Sequence, residues 1–377
     1  MPTTVASQEF SGQALQDTLD KALEGHGLPR QDAAKLLRLK GVNDIFKLLN
    51  TANTLRKNLV GNTGTFVINR NLNFTNYCFN NCSFCSFQAS PSDPRGFLLS
   101  SSQIREKVEA SVEYGCTEIC IQGGISNAVS IGTYEEILQI CHDVNPELHP
   151  HAFSPEEINH AAKTANLTIV ETLKRLKAAG LKSIPGTAAE ILVDSVREKI
   201  CPNKISTAKW ITIITQAHKM GIPTTATMMY GHLETIDDII EHFSIIRDIQ
   251  EETGGFTEFV PLTFIHPNTR LYQQGARPGA SSLMDSKVHA VARLFFGDLL
   301  PNLQASWVKL GPKFAEFLLS AGGANDVGGT LLEESISSTA GGIYGQEMPH
   351  SELISLIRNA GLKPARRDTL YNILESY

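Results

Sequence analysis

From Thr65 to about Gly328 short apolar or β-branched runs alternate with longer amphipathic stretches, a pattern that few folds accept. Repeated βα units lay parallel strands side by side, because the return to the same sheet edge needs a crossover of a dozen or more residues, usually a helix. Strands are expected at Thr65–Thr75, Glu118–Gln122, Glu147–Phe153, Ser183–Pro185, Thr224–Tyr230, Thr257–Phe264, Leu303–Trp307 and Asn325–Gly328. Eight such units suit an α/β fold closed as a (β/α)8 barrel of the TIM type. Ser101-Ser102-Gln103 opens a helix reaching about Tyr114, and Ser154-Pro155-Glu156-Glu157 combines a cap, a first-turn proline and two first-turn acids.

Ahead of the barrel, Leu15, Leu19, Ala22 and Leu23 recur with helical spacing. The expected division is a helical lead-in over 1–60, the barrel over 61–340 and a helical extension over 341–377, whose helix from Ser351 stops at Gly361-Leu-Lys-Pro364. With 42% hydrophobic and 19% charged residues, 377 residues are enough for one large domain with such additions. The net charge of −6 is interspersed, with no basic block to neutralise phosphates, so nucleic acid is not an expected partner. No apolar run is long enough for a membrane, and Met-Pro-Thr-Thr-Val-Ala-Ser has no signal-peptide character; a cytoplasmic protein is expected.

The chemistry is concentrated in Cys78-Phe-Asn-Asn-Cys82-Ser-Phe84-Cys85, directly after the first expected strand. Three cysteines at C-x3-C-x2-C can converge on one soft metal centre. Structural zinc sites are closed by four ligands, so a local group of three points to an iron-sulfur cluster with one iron left open. The alternative is a zinc site completed by a remote ligand such as His151. The remaining Cys116, Cys120, Cys141 and Cys201 show no metal or redox spacing and read as reduced structural thiols.

Loops that follow barrel strands carry function. The second strand ends in Gln122-Gly123-Gly124, where missing side chains would let backbone approach a ligand. The third carries His149 and His151 on one face, either of which could reach the barrel mouth or serve structurally. The fourth runs into Ser183-Ile-Pro-Gly-Thr-Ala-Ala-Glu190, with Arg197 two helical turns beyond Glu190. His266 and Asn268 follow the sixth strand as expected substrate contacts, and Trp307 with the loop from Gly322 to Thr330 could close the pocket.

The cysteine stretch, with aromatic Phe84 before its last cysteine, resembles the signature of the radical S-adenosylmethionine (SAM) superfamily. Together with Cys120-Ile-Gln-Gly-Gly124, His151-Ala-Phe-Ser-Pro155, the loop to Glu190, Thr257-Glu-Phe-Val-Pro-Leu262 and Arg367-Asp-Thr-Leu-Tyr371, it resembles the tyrosine-using subunits of 7,8-didemethyl-8-hydroxy-5-deazariboflavin (FO) synthases. That resemblance implies a 4Fe-4S cluster on Cys78, Cys82 and Cys85, with SAM chelating the open iron through its amino and carboxylate groups. It places Phe84, Gln122, Gly123 and Gly124 against the cofactor, the glycines at the SAM amino group; Glu190 and Arg197 would hold polar parts of SAM.

The implied reaction cleaves the Cα–Cβ bond of L-tyrosine after hydrogen abstraction. It joins the 4-hydroxybenzyl fragment to C5 of 5-amino-6-(D-ribitylamino)uracil and releases 2-iminoacetate, methionine and 5'-deoxyadenosine. The implied partners are a separate ring-closing subunit and an electron donor, and His266 and His151 are the candidates for proton handling. The chain departs from the family pattern at Thr263 and Pro267-Asn268-Thr269, which bears on substrate contacts. The nearest rivals are aminofutalosine synthase and related enzymes of the futalosine route to menaquinone, whose strand-four loop carries more glycine where this chain has Thr187-Ala188. A non-catalytic iron-sulfur or zinc protein is the rival from another class.

Overall fold

The computed structural model describes residues 12–377; the amino-terminal stretch considered for a signal peptide, and the first part of the expected lead-in, lie outside the described residues. Nine strands are described: β1 Thr63–Val67, β2 Asn69–Asn73, β3 Glu118–Gln122, β4 His149–Ala152, β5 Thr224–Tyr230, β6 Phe256–Thr263, β7 Asp326–Gly329, β8 Lys363–Arg367 and β9 Ile373–Ser376. β1 and β2 form one extended run interrupted at Ile68, and this run is the first stave of a ring.

β2 pairs parallel with β3 (Asn71 opposite Cys120), and β3 with β4 (Cys120 opposite His151). Single bridges His151 to Ser183 and Ile184 to Thr224 make the fourth stave. β5 pairs parallel with β6, the bridges Phe259 to Leu303 and Gln304 to Asp326 make the seventh, and β7 returns to β1 at Thr65. The barrel therefore closes with eight parallel staves, two of them too short to count as strands. Their brevity has local causes: Pro185 lacks an N–H to extend the ladder, and Ser306 already precedes the helix Trp307–Leu310.

The helices start where their caps stand. Ser100 with Gln103, and Ser154 with Glu157, form reciprocal capping boxes at the helices Ser101–Tyr114 and Pro155–Thr164. The lead-in consists of helices Gly12–Ala22, Arg30–Leu37 and Val42–Val60, the last two packed against the helix Ser282–Phe296. Leu36, Leu37, Leu48 and Leu55 are fully buried there, so each is worth ~2–5 kcal/mol against truncation to alanine.

The carboxy-terminal extension, expected to be helical, holds the helix His350–Asn359 and then turns to strand. β3 pairs only with the upper run β2, leaving one edge of β1 without a partner from within the barrel; β8 fills that edge in parallel (Thr65 opposite Ala365), and β9 folds back on β8. Pro364 bars helix at this point while tolerating the strand. The same segment carries two side chains under the barrel. Arg367 reaches Asp326 (Nε 2.6 Å, Nη2 3.1 Å), and the Tyr371 hydroxyl donates to Glu258 at 2.6 Å. Thr65 donates to the same Asp326 at 2.6 Å, so the floor is a satisfied polar network.

Candidate active site

At the opposite end the strands open into a cavity of about 340 Å³, lined by residues of the staves or of the segments that follow them. The cysteine loop forms one wall and is fixed by its backbone. Cys78 N–H donates to Ala89 O (3.1 Å), Phe79 N–H to Ile125 O (3.0 Å) and Ser83 N–H to Ile200 O (2.9 Å). Arg270 and Asn203 donate to the carbonyls of Asn81 (2.6 Å) and Asn80 (3.1 Å). Asn81 has φ of 54°, a left-handed conformation that asparagine adopts more readily than most residues, and these contacts hold the bend.

Cys78, Cys82 and Cys85 all line the cavity, beside Phe84. Burial pushes the Cys82 thiol far above its ordinary range, with Lys204 opposing, and raises Cys85 as well. Such thiols ionise when a metal takes the proton's place. Among the described residues no three His, Cys, Asp or Glu side chains are gathered as tightly as one metal ion requires. A cluster takes each thiolate on a different iron and needs them further apart than one zinc ion does. His151 is not at the cavity: its Nδ1 lies 2.7 Å from Ser183 Oγ, the hydroxyl that also meets His149 Nε2 at 2.8 Å. Burial, then the charge of Arg367, lowers its pKa to about 3, so it is a neutral histidine of the barrel interior.

Gln122, Gly123 and Gly124 line the cavity as well. A Cβ at Gly123 would stand 2.3 Å from the Phe74 ring, and one at Gly124 would stand 2.2 Å from the Tyr77 carbonyl oxygen. The glycines are thus required by packing of the cysteine loop, a reason distinct from ligand approach. Their N–H groups are taken by Glu157 Oε1 and Thr75 O, both at 2.9 Å, leaving carbonyls to meet an ammonium group. Glu157 lines the cavity too; burial raises its pKa to about 7 against the hydrogen bonds of Ser154 and Gly123.

Glu190 and Arg197 are not on one helix. The helix here is only Asp194–Ile200, and Glu190 has φ of 41° in the loop before it. Glu190 lines the cavity with Oε1 2.6 Å from Lys204 Nζ, while its buried Oε2 accepts no hydrogen bond. Arg197 stays behind the loop, donating to the carbonyls of Ala188 (3.1 Å), Ala189 and Ile205 (2.7 Å). It holds Ala188 and Glu190 in their left-handed conformations and touches no cavity surface.

His266 lies outside the cavity, edge-on to Tyr272 at 4.5 Å. Asn268 ties loops together: its carbonyl accepts from Ser86 (2.7 Å) and its amide donates to Thr339 O (3.1 Å). Trp307 is fully buried and bonds Gly329 O at 2.9 Å, so it belongs to the core; the segment with Glu334, Ile336 and Ala340 covers the cavity instead. Lys204, Lys309, Glu157 and Glu334 are cavity residues that sequence reasoning passed over. Glu157 had been visible only as a helix-capping acid, and the two lysines stand alone in unremarkable stretches.

Comparison with known proteins shows the family. Residues 72–246 match the radical SAM superfamily, and residues 253–377 match the CofH/MqnC C-terminal region. A 5-amino-6-(D-ribitylamino)uracil–L-tyrosine 4-hydroxyphenyl transferase of Methanocaldococcus jannaschii is 50% identical over 335 residues, covering 88% of this chain and 93% of the relative. Its counterpart from Methanopyrus kandleri is 47% identical over 340 residues, covering 90% and 92%. Among solved structures, the FeFe-hydrogenase maturase HydG superposes with a TM-score of 0.75 at 18% identity, over 95% of this chain and 77% of that one, a likeness of fold.

Proposed function

We propose that this chain, which belongs to the radical SAM superfamily and within it to the family of 5-amino-6-(D-ribitylamino)uracil–L-tyrosine 4-hydroxyphenyl transferases, carries out that transfer. It cleaves the Cα–Cβ bond of tyrosine and delivers the 4-hydroxybenzyl group to the aminouracil. The observation that carries the reading is that Cys78, Cys82 and Cys85 share one cavity with Gly123, Gly124 and Glu190.

The residues present fit the cofactors. The three thiols would hold a 4Fe-4S cluster, the carbonyls of Gly123 and Gly124 suit the SAM amino group, and Glu190 Oε2, which accepts no hydrogen bond and has Arg197 Nη1 at 3.9 Å, suits a hydroxyl or amino donor of the nucleoside. When bound, cluster and SAM supply one-electron chemistry that generates a carbon radical able to take hydrogen from tyrosine. The chain's own part is containment. Leu262, Phe264 and Ile265 give the cavity apolar walls, and the loops over it are laced by Asn268, which keeps water and stray hydrogen donors out. Arg197 acts as a positioning residue, setting Glu190 through the loop carbonyls.

A ring-closing subunit that consumes the adduct and a donor that reduces the cluster complete the system, in the reducing cytosol that keeps such thiols free. The test is an anaerobic assay of reconstituted protein with dithionite, SAM, tyrosine and the aminouracil, followed by mass spectrometry. The hydroxybenzyl adduct with stoichiometric 5'-deoxyadenosine is expected. Turnover with an enolpyruvyl-benzoate acceptor and none with the aminouracil would move the chain to the menaquinone branch.

A further inference from the structure

Two lysines line the cavity, and they are placed differently. Lys204 has its counter-charge: Glu190 Oε1 lies 2.6 Å from its Nζ, and the Phe84 ring lies 5.5 Å away at the cysteine wall. Lys309 stands in the short helix Trp307–Leu310 that follows the seventh stave. Its hydrogen-bond partner is a neutral hydroxyl, Ser337 Oγ at 2.5 Å, and among the described residues no carboxylate reaches it within ion-pair distance. Ser337 turns the other way to Glu334, placing its hydroxyl 3.1 Å from Oε1 and its N–H 2.9 and 3.2 Å from the two carboxylate oxygens. One cation and one anion thus face a single cavity, held apart by one hydroxyl.

Such an arrangement is costly when empty, because a buried charge without a counter-charge loses solvation that nothing returns. Burial accordingly lowers the proton affinity of Lys309, while Glu334 and Cys85 act the other way. The arrangement matches a ligand that carries both charges on one carbon. The aminouracil has no fixed charge to place there, and the SAM aminoacyl group is assigned to the open iron and the glycine carbonyls. We propose that Lys309 and Glu334 form the seat of the amino-acid substrate, Lys309 binding its α-carboxylate and Glu334 its α-ammonium group, with Ser337 as spacer. This rests on the tyrosine-using reading of the cavity and names the residues that select an amino acid.

The seat is tested by equilibrium binding of tyrosine to cluster-reconstituted holoenzyme with SAM and no reductant, and by KM under turnover. Tyramine, which lacks the carboxylate, and 3-(4-hydroxyphenyl)propionate, which lacks the amine, serve as probes. Lys309→Met is expected to weaken tyrosine binding at least ~30-fold and to abolish the preference for tyrosine over tyramine, with SAM affinity unchanged. Lys309→Arg should recover most of the loss, and Glu334→Gln should remove the preference over the propionate. A Lys309→Met protein with full iron content that binds tyrosine like wild type overturns the seat and leaves the functional reading standing. If that variant loses its cluster, the wild-type probes decide: tyramine bound as tightly as tyrosine overturns the seat. Wild type that binds no tyrosine overturns both.

Discussion

The floor and the mouth of this barrel both bury charged groups, and they use them in opposite ways. At the floor, Arg367 meets Asp326 twice, Tyr371 meets Glu258, and the Arg367 guanidinium lies 4.0 Å from the Tyr371 ring. Each of these groups finds its partner within the network. At the mouth, Glu190 keeps an oxygen without a hydrogen bond, Lys309 has a hydroxyl where a carboxylate would be expected, and three free thiols line one cavity. Backbone strain follows the same division. Asn81, Phe153, Ala188, Glu190, Leu331 and Glu333 all adopt left-handed φ in loops around the mouth; of the other two non-glycine residues that do so among the described residues, Tyr371 is at the floor and Asn166 follows the helix Pro155–Thr164. Buried polar groups that close on one another specify the fold; those left incomplete mark where a ligand completes them.

That contrast can be broken by substitution at either end. Cys82→Ala at the mouth should reduce adduct formation by more than ~1000-fold, since one lost ligand removes the cluster, while the urea midpoint of the metal-free protein moves little. Asp326→Asn at the floor should do the reverse: Arg367 keeps Glu258 at 3.8 Å but loses its charged hydrogen-bond partner, which costs ~1.5–3 kcal/mol in denaturant unfolding, with turnover per folded molecule retained. Glu190→Gln should weaken SAM binding ~10-fold, measured by equilibrium dialysis, and should also lower the urea midpoint, because Lys204 loses the carboxylate 2.6 Å from its Nζ.

A pH measurement sharpens the floor's side of the comparison. His151 holds its proton with a pKa of about 3 when folded, against the ordinary histidine value of ~6.5 when unfolded. Between those values the unfolded chain binds more protons, so the stability His151 contributes is complete above pH ~6.5 and is lost as the pH falls toward 3. His151→Gln should therefore flatten the fall in stability between pH 6 and 4 by up to ~1.4 kcal/mol per pH unit. The smallest effect belongs to His266→Ala, which lies outside the cavity and should change turnover by less than ~3-fold.

Much of the barrel was readable from local signals. β3 and β5 fall where their β-branched runs begin and end, and the helices begin at Ser100 and Ser154 because capping chemistry is short-range. The fourth and seventh staves shrink to bridges because Pro185 and the helix at Trp307 interrupt them, and β8 was hidden because its partner edge on β1 is remote in sequence. At the site, the three cysteines were legible because their spacing is local. Lys204 and Glu334 come from separate loops and Lys309 from the short helix Trp307–Leu310, and nothing near them in sequence announces a cavity. Arg197 was misplaced for a related reason: its spacing from Glu190 suggests one helical face, but residues 188–193 are not helical.

The account's central claim is that the mouth holds a cluster with one iron open to SAM. The most direct measurement is electron paramagnetic resonance of the reduced, reconstituted protein with and without SAM, alongside iron and sulfide analysis. A reduced 4Fe-4S signal whose g-values change on adding SAM, and which is absent from Cys82→Ala, is the expected result. An identical signal with and without SAM, or protein that takes up one zinc ion and no cluster, would contradict it.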